Sequence, residues 1–241
     1  MNISFIVPCY NCENYISNNI LKLNNKLKNL ISKYEIILVD DFSNDGTLLN
    51  LKKIKKKIRK VKVLKKKKNY GKAHSVIEGI KKSKYSHIIF IDSDLPYFEK
   101  IPKLIKNLKK NDMVIINRKE KKSKIINKSY KFYQLIRILL GYGINYFLRL
   151  RFNLKVGDTQ AGLKGFVKPK NFIKIKFISK RFFFDLELIL LFLHLKKKII
   201  SLPTRYSINE KSTIKLLDFK SNLEILKELI KISIKYKSIN E

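Results

Sequence analysis

The sequence predicts an α/β protein built on a mostly parallel, doubly wound sheet with helices on both faces. Short β-rich apolar runs alternate along the chain with longer Lys-rich segments whose apolar residues recur every 3.6 positions. Polar or acidic residues follow directly on those runs, where the sheets of such folds present their ligand-binding edge. The 241 residues, 45% of them hydrophobic, are enough for one large packed domain or two small ones and argue against global disorder.

Taken in order, Ile3 to Val7 reads as the first strand, followed by Pro8-Cys9-Tyr10-Asn11. Glu35 to Val39 is the second, followed by Asp40-Asp41-Phe42-Ser43, and Val61 to Leu64 is the third. His87 to Ile91 is the fourth, followed by Asp92-Ser93-Asp94, and Met113 to Ile116 is the fifth. The segments between them read as helices. Ser43-Asn44-Asp45-Gly46-Thr47 has the chemistry of a turn entering a helix, and Asn69-Tyr70-Gly71-Lys72 opens another helical stretch. Beyond residue 118 a basic, aromatic-rich stretch runs from Lys128 to Arg151. It is read either as an amphipathic element at a lipid interface or as a core helix with solvated charges. Asp158-Thr159-Gln160-Ala161-Gly162, two apolar segments and a charged tail helix from about Leu216 to Tyr236 complete the chain. There is no internal repeat and no linker rich in Gly, Ser or Pro, so one continuous domain over 1–241 is expected.

The net charge of +35 favours anionic partners such as nucleotides, phospholipid headgroups, polyprenyl phosphates or nucleic acid. Lys recurs almost everywhere together with Ile and Asn, which reads as a compositional bias rather than one dedicated patch. Cys9 and Cys12 form a Cys-x-x-Cys pair with no second pair to complete a zinc site, so structural thiols in a reducing compartment are expected. Met1 runs into an apolar stretch with no basic leader, so the mature chain is expected to begin there. The longest hydrophobic stretches, Ile138 to Leu148 and Phe182 to Leu195, fall short of the roughly 20 residues of a spanning helix. Any membrane contact is therefore expected at the surface.

Asp92 and Asp94 follow a buried strand, and strand alternation is expected to turn both carboxylates towards the sheet edge. Their mutual repulsion is relieved by a bound Mg²⁺ or Mn²⁺, which can also bridge the oxygens of a diphosphate. Asp40 stands at a second strand end, where a nucleotide base or ribose hydroxyl is a suitable donor to it. Lys72 offers a point charge to a phosphate.

The motifs Val7-Pro8-Cys9-Tyr10-Asn11, Val39 to Thr47, Asn69-Tyr70-Gly71-Lys72 and Asp92-Ser93-Asp94, in this order, resemble those of family 2 glycosyltransferases of the GT-A fold. Asp158 to Phe166, Phe184-Asp185-Leu186-Glu187-Leu188 and Leu202-Pro203 are similar to the branch containing dolichyl-phosphate glucosyltransferases and related polyprenyl-phosphate sugar transferases. The resemblance covers roughly residues 2 to 215. It implies a metal-dependent, inverting hexosyltransferase with a donor half over about 1–118, an acceptor half over about 119–215 and a C-terminal helix. Pro8, Tyr10, Asn11, Glu13 and Asp40 would surround the base and ribose, with Lys72 nearby and Ser93 in the substrate-binding turn. Asp94 would be the main metal ligand with Asp92 beside it. Arg118 would hold the donor diphosphate or the acceptor phosphate, and Asp158 and Gln160 would line the acceptor side. The sequence departs from the family pattern at Phe42, where Gly is usual, at Leu95-Pro96, and at Ser201, where Glu is frequent.

An ionised polyprenyl phosphate attacks without a general base, so positioning and leaving-group stabilisation would supply most of the catalysis. A glycan hydroxyl acceptor needs a base, for which Asp185 is the candidate, its alternative role being a helix N-cap. Glucose from UDP-glucose is the favoured donor by resemblance, ahead of other UDP-sugars and GDP-mannose. The expected partners are thus a nucleotide-sugar, a polyprenyl-phosphate or glycan acceptor and a membrane surface, with the protein peripheral on a cytoplasmic face. A basic nucleic-acid-binding protein is the distant alternative. It is disfavoured by the diffuse Lys, the lack of a recognition motif, and acidic pairs that would repel phosphates without a metal.

Overall fold

The structure, a computed structural model, describes residues 1–126, 143, 146–152, 154, 157–179, 183–206 and 219–237. Most of the stretch from Lys128 to Arg151 and the start of the tail segment at Leu216 lie outside the described residues. The chain divides into two compact units, Met1–Ile115 with Gly162–Lys176, and Ile116–Ala161 with Phe177–Glu241.

The first unit is built around β1 (Ile3–Cys9), β2 (Tyr34–Asp40), β3 (Val61–Lys65), β4 (His87–Ile91), the first three residues of β5 (Met113–Asn117) and β7 (Leu163–Val167). The strand order of the seven-stranded sheet is β3-β2-β1-β4-β7-β5-β8, with β8 formed by Ile199–Pro203. β1 pairs in parallel with β2 and β4, and β2 in parallel with β3. Ile3, Phe5, Ile6 and Val7 of β1 are fully buried, as a central parallel strand covered on both faces requires. The five strands read from the sequence are present, each beginning and ending within two residues of its expected limits.

The parallel pattern of β1 to β4 is not kept by β7. β7 runs antiparallel to both β4 and β5 and separates them. Its sequence, Leu-Lys-Gly-Phe-Val, carries a lysine and a glycine, which hides the strand from a reading based on apolar runs. Lys164 is nevertheless fully buried.

The helices obey the amphipathic rule. α1 (Glu13–Lys28) buries Ile16, Ile20, Leu23 and Leu27, spaced four, three and four residues apart. α2 (Thr47–Lys57) buries Thr47, Leu51 and Ile54 and turns its lysines outward. α3 (Lys72–Lys81) packs so closely on β1 that a Cβ at Gly79 would fall 2.5 Å from Ile6 Cγ2. α4 (Ile101–Leu108) buries Ile101, Leu104, Ile105 and Leu108.

The second unit contains a parallel pair formed by β6 (Lys124–Ile125) and β9 (Arg205–Tyr206), with α5 (Phe184–His194) and α6 (Phe219–Lys235). Nine consecutive residues of α5, Phe184 to Phe192, are buried. Leu186 and Leu190 join a core with Leu148, Phe152, Phe183, Ile232 and Tyr236. Among the described residues, no helix is long and apolar enough to cross a membrane.

Candidate active site

In the first unit the carboxyl ends of β1, β2 and β3 are level, because Cys9 pairs with Asp40 and Asp40 with Lys65. The loops leaving these ends are tied together by side chains. Asn11 N–H donates to Ser43 Oγ at 3.1 Å, and Asn11 Oδ1 accepts from Asn44 N–H at 2.9 Å. Glu13 Oε2 accepts from Gly46 N–H at 2.5 Å, and Glu13 N–H donates to Asp45 at 3.1 Å. Glu13 thereby satisfies one of the open donors at the start of α2. Tyr10 is 47% exposed beside this clasp. Cys9 and Cys12 are buried free thiols.

Asp40 is 1% exposed. Its Oδ1 accepts a long bond from Ser43 N–H at 3.4 Å, whereas its Oδ2 is buried without a partner among the described residues. An unpartnered buried carboxylate oxygen costs free energy unless a donor arrives from outside the chain. Its neighbour Asp41 plays a different part that the sequence did not reveal. It pairs with the buried Lys66 at 2.6 Å and accepts from the backbone N–H groups of Tyr70 and Gly71 at 3.1 and 2.8 Å. These bonds shape the loop into α3, with Gly71 at φ 89 and Lys72 as the first helical residue.

Asp92 and Asp94 are displayed differently from the expectation. They do not continue the alternation of β4. They sit in a turn closed by Leu95 N–H on Asp92 O at 2.9 Å. Asp92 N–H donates to Gly162 O at 3.0 Å, and a Cβ on Gly162 would collide with the Asp92 carboxylate. A glycine at 162 therefore sets where that carboxylate can lie. Lys72 Nζ lies 2.7 Å from Asp92 Oδ1, both side chains being about one-third exposed. Ser93 is fastened to α1 through its carbonyl, which accepts from Asn19 Nδ2 at 2.9 Å, and through its hydroxyl, 3.4 Å from Tyr15 Oη. Neither Asn19 nor Tyr15 belongs to a recognisable motif. Asp94 stays open to solvent, yet desolvation by its surroundings and then the charge of Asp92 raise its carboxyl above the ordinary value.

Backbone strain gathers at the same strand ends. Asn11, Phe42, Leu95 and Tyr97 have φ of 46, 63, 54 and 57, a region that costs a non-glycine residue roughly 1–3 kcal/mol. Phe42 thus adopts the left-handed conformation that explains why glycine suits this position.

In the second unit Asp158, 2% exposed, is saturated. It forms a two-pronged pair with Arg118, Oδ2 to Nε at 2.5 Å and Oδ1 to Nη2 at 2.9 Å. It also accepts from the backbone N–H groups of Arg118 and Gln160, each at 3.1 Å. Burial alone would raise this carboxyl, but the Arg118 bonds and charge and the two amides outweigh it and hold it below the ordinary value. Asp158 is turned onto Arg118, not outward. Burial, offset in part by Asp158, lowers the ammonium of neighbouring Lys119.

Asp185 is the second residue of α5 and 6% exposed, and the N-cap position is Phe183 without a side-chain cap bond. The capping role weighed for Asp185 is therefore not the one it has. Glu187, fully buried, was missed as a structural anchor. It accepts from Ile178 and Ser179 N–H at 2.8 and 2.7 Å and pairs with Lys235 of α6 at 2.8 Å. Ser201, where the family pattern favours Glu, donates to Glu120 at 2.7 Å, so a carboxylate is supplied from elsewhere in the chain.

The sequence model of glycosyl transferase family 2 matches residues 4–166. A dolichyl-phosphate beta-glucosyltransferase of Dictyostelium discoideum is 28% identical over 97% of this chain and 74% of its own length. The human protein of that name is 29% identical over 97% and 75%. A dolichol-phosphate mannosyltransferase of Pyrococcus furiosus is 34% identical over 53% of this chain and 36% of its own. Among solved structures, glucosyl-3-phosphoglycerate synthase of Mycobacterium tuberculosis in complex with Mn²⁺, UDP-glucose and phosphoglyceric acid superposes with a TM-score of 0.64. It is 15% identical, with 96% of this chain and 79% of that one covered. S. aureus TarS 1-349 in complex with UDP gives 0.55 at 21% identity, with 87% and 61% covered. These likenesses establish the nucleotide-sugar transferase fold expected from the sequence.

Proposed function

Because the chain belongs to glycosyl transferase family 2, we propose that it is a metal-dependent, inverting enzyme that moves glucose from UDP-glucose to a polyprenyl phosphate such as dolichyl phosphate. The observation that carries the donor side is the buried, unpartnered Oδ2 of Asp40, level with the Tyr10-Asn11 loop. A base N–H or ribose hydroxyl of the nucleotide satisfies it, with Pro8, Tyr10 and Asn11 forming the surrounding wall and Glu13 fixing that wall to α2. The similarity to dolichyl-phosphate beta-glucosyltransferases, over 97% of this chain and about three-quarters of theirs, supports the choice of glucose and of a lipid phosphate.

Asp92 and Asp94 fit a divalent cation. Two hard oxygen donors suit Mg²⁺ or Mn²⁺, Gly162 leaves room for Asp92, and a cationic group already lies against that carboxylate. No group of three or more His, Cys, Asp or Glu able to hold a metal occurs among the described residues, so diphosphate oxygens would complete the shell. A bound metal there supplies charge neutralisation for the departing UDP. Lys72 neutralises the acidic turn and then adds its charge to the diphosphate. The acceptor phosphate oxygen attacks the anomeric carbon as the bond from that carbon to the β-phosphate oxygen breaks, leaving UDP and the lipid-linked sugar. The attacking oxygen is already ionised, so no side chain has to take a proton.

Arg118 is the phosphate-binding residue of the acceptor side in this reading, and Asp158 orients it while Gln160 lines the same side. A second reading, transfer to a glycan hydroxyl with Asp185 as base, draws on the buried carboxyl at the start of α5. Radiolabelled UDP-glucose and GDP-mannose, each offered with a short polyprenyl phosphate and Mn²⁺, test the assignment. Labelled lipid from UDP-glucose is expected. Label on a glycan acceptor but not on lipid would replace the first reading by the second.

A further inference from the structure

The charge that looked diffuse in the sequence is concentrated in the structure. Residues 52–68 hold twelve Lys or Arg and no Asp or Glu. Eleven of the twelve are exposed, from Lys52 on α2 to Lys68 beyond β3, and only Lys66 is buried, on Asp41. They form one continuous surface, because α2 packs beside β3 and β3 is the edge strand of the sheet. Lysines on an edge strand also discourage unwanted strand pairing, which accounts for Lys62 and Lys65. It does not account for Lys52, Lys53, Lys56 and Lys57, which cover the outer face of a helix. Glu35 pairs with Lys62, and nothing acidic within 52–68 offsets the rest.

We infer that the outer face of α2 and the adjoining β3 edge form a docking surface for an anionic lipid bilayer. The choice of a bilayer rests on the lipid acceptor proposed above and on one further detail. Leu49, 57% exposed, stands on the outward face of α2 with Lys52, Lys53 and Lys56 three, four and seven residues further on. An apolar side chain ringed by cationic ones suits the boundary between headgroups and acyl chains, where it inserts while the ammonium groups meet lipid phosphates. Against a nucleic-acid backbone Leu49 would have no counterpart. Each lysine brought to an anionic surface contributes about fivefold in partition, the equivalent of about 1 kcal/mol.

The test is sedimentation of the whole chain with phosphatidylcholine vesicles, with and without phosphatidylserine. Two variants of equal net charge are compared. One carries Lys52→Gln, Lys53→Gln, Lys56→Gln and Lys57→Gln, and the other Lys103→Gln, Lys106→Gln, Lys109→Gln and Lys110→Gln on and just beyond α4. Wild type and the α4 variant should bind phosphatidylserine vesicles alike, and the α2 variant should lose two orders of magnitude or more. Equal losses in both variants, or none in either, would overturn the localisation. Tighter binding of an RNA duplex than of vesicles, lost in the α2 variant, would replace the bilayer by nucleic acid. Sugar transfer to a short polyprenyl phosphate in detergent is measured in parallel. α2-dependent vesicle binding without such transfer would overturn the acceptor and leave the docking face standing.

Discussion

Gly162→Ala is a perturbation whose consequence can be worked from the geometry of the acidic turn. The added Cβ would overlap the Asp92 carboxylate and come 3.1 Å from Pro96 Cγ. Gly162 is not among the glycines of positive φ, so an alanine strains no backbone torsion and acts only through the clash. The simplest relief is rotation of Asp92 away from Gly162, which also breaks its 2.7 Å pair with Lys72. Overpacking of this kind costs about 1–3 kcal/mol, and the partly exposed ion pair adds about 1 kcal/mol. Each kcal/mol lowers Tm by about 2–4 °C in a chain of this size, so the variant should still be folded at 25 °C. Metal affinity should suffer more, because displacing the support of a ligand lowers it by about 10–100-fold. Mn²⁺ binding followed by electron paramagnetic resonance, beside thermal melting, separates the two effects. Wild-type Mn²⁺ affinity in a folded variant would refute the placement of a metal at Asp92.

Three other outcomes follow from individual side chains. Asp40→Asn should weaken UDP binding by roughly 10–100-fold, the worth of a hydrogen bond to a charged group, and calorimetry showing unchanged affinity would remove Asp40 from the nucleotide site. Glu187→Ala leaves two backbone N–H groups and Lys235 without their buried acceptor. It should cost about 3–5 kcal/mol in chemical denaturation, with Glu187→Gln milder. The Asp158 carboxyl is held below its unfolded value, so its stabilising contribution is complete above about pH 4 and is lost as pH falls through the lower folded value. An acid titration of Asp158→Asn should therefore lack that part of the wild-type loss, and superimposable slopes would contradict the pairing.

What was legible in the sequence follows physical lines. Apolar runs such as Ile3 to Val7, interrupted only by Ser4, and Ile88 to Ile91 announce buried parallel strands, and polar residues following such runs mark the edge where Asp40 and Asp92 lie. β7 was not legible, because a strand inserted antiparallel between two others is set by tertiary pairing, and Lys164 and Gly165 weaken its local signal. The placement of Asp92 and Asp94 was reached by an argument about alternation that the turn does not obey. Supporting residues were the least visible. Asn19 and Asp41 act through backbone groups distant in sequence, Tyr15 through the Ser93 hydroxyl, and Glu187 through the amides of the loop before its own helix, and no spacing rule ties them to the motifs they hold. The cationic face of α2 was obscured for the opposite reason: lysine is abundant throughout, and although the acid-free run over 52–68 stands in the sequence, its exposure and the edge position of β3 come only from the structure.

The central claim is that Asp94 and Asp92 bring a divalent cation to the diphosphate of a sugar donor. It is tested most directly by titrating Mn²⁺ into the transfer of labelled glucose from UDP-glucose to a polyprenyl phosphate, for wild type and Asp94→Ala. The account predicts metal-dependent formation of labelled lipid by the wild type and loss of at least about 100-fold in the variant, as expected when transition-state charge stabilisation is removed. Transfer that ignores added metal and chelator alike, or a folded Asp94→Ala protein with wild-type activity, would contradict it.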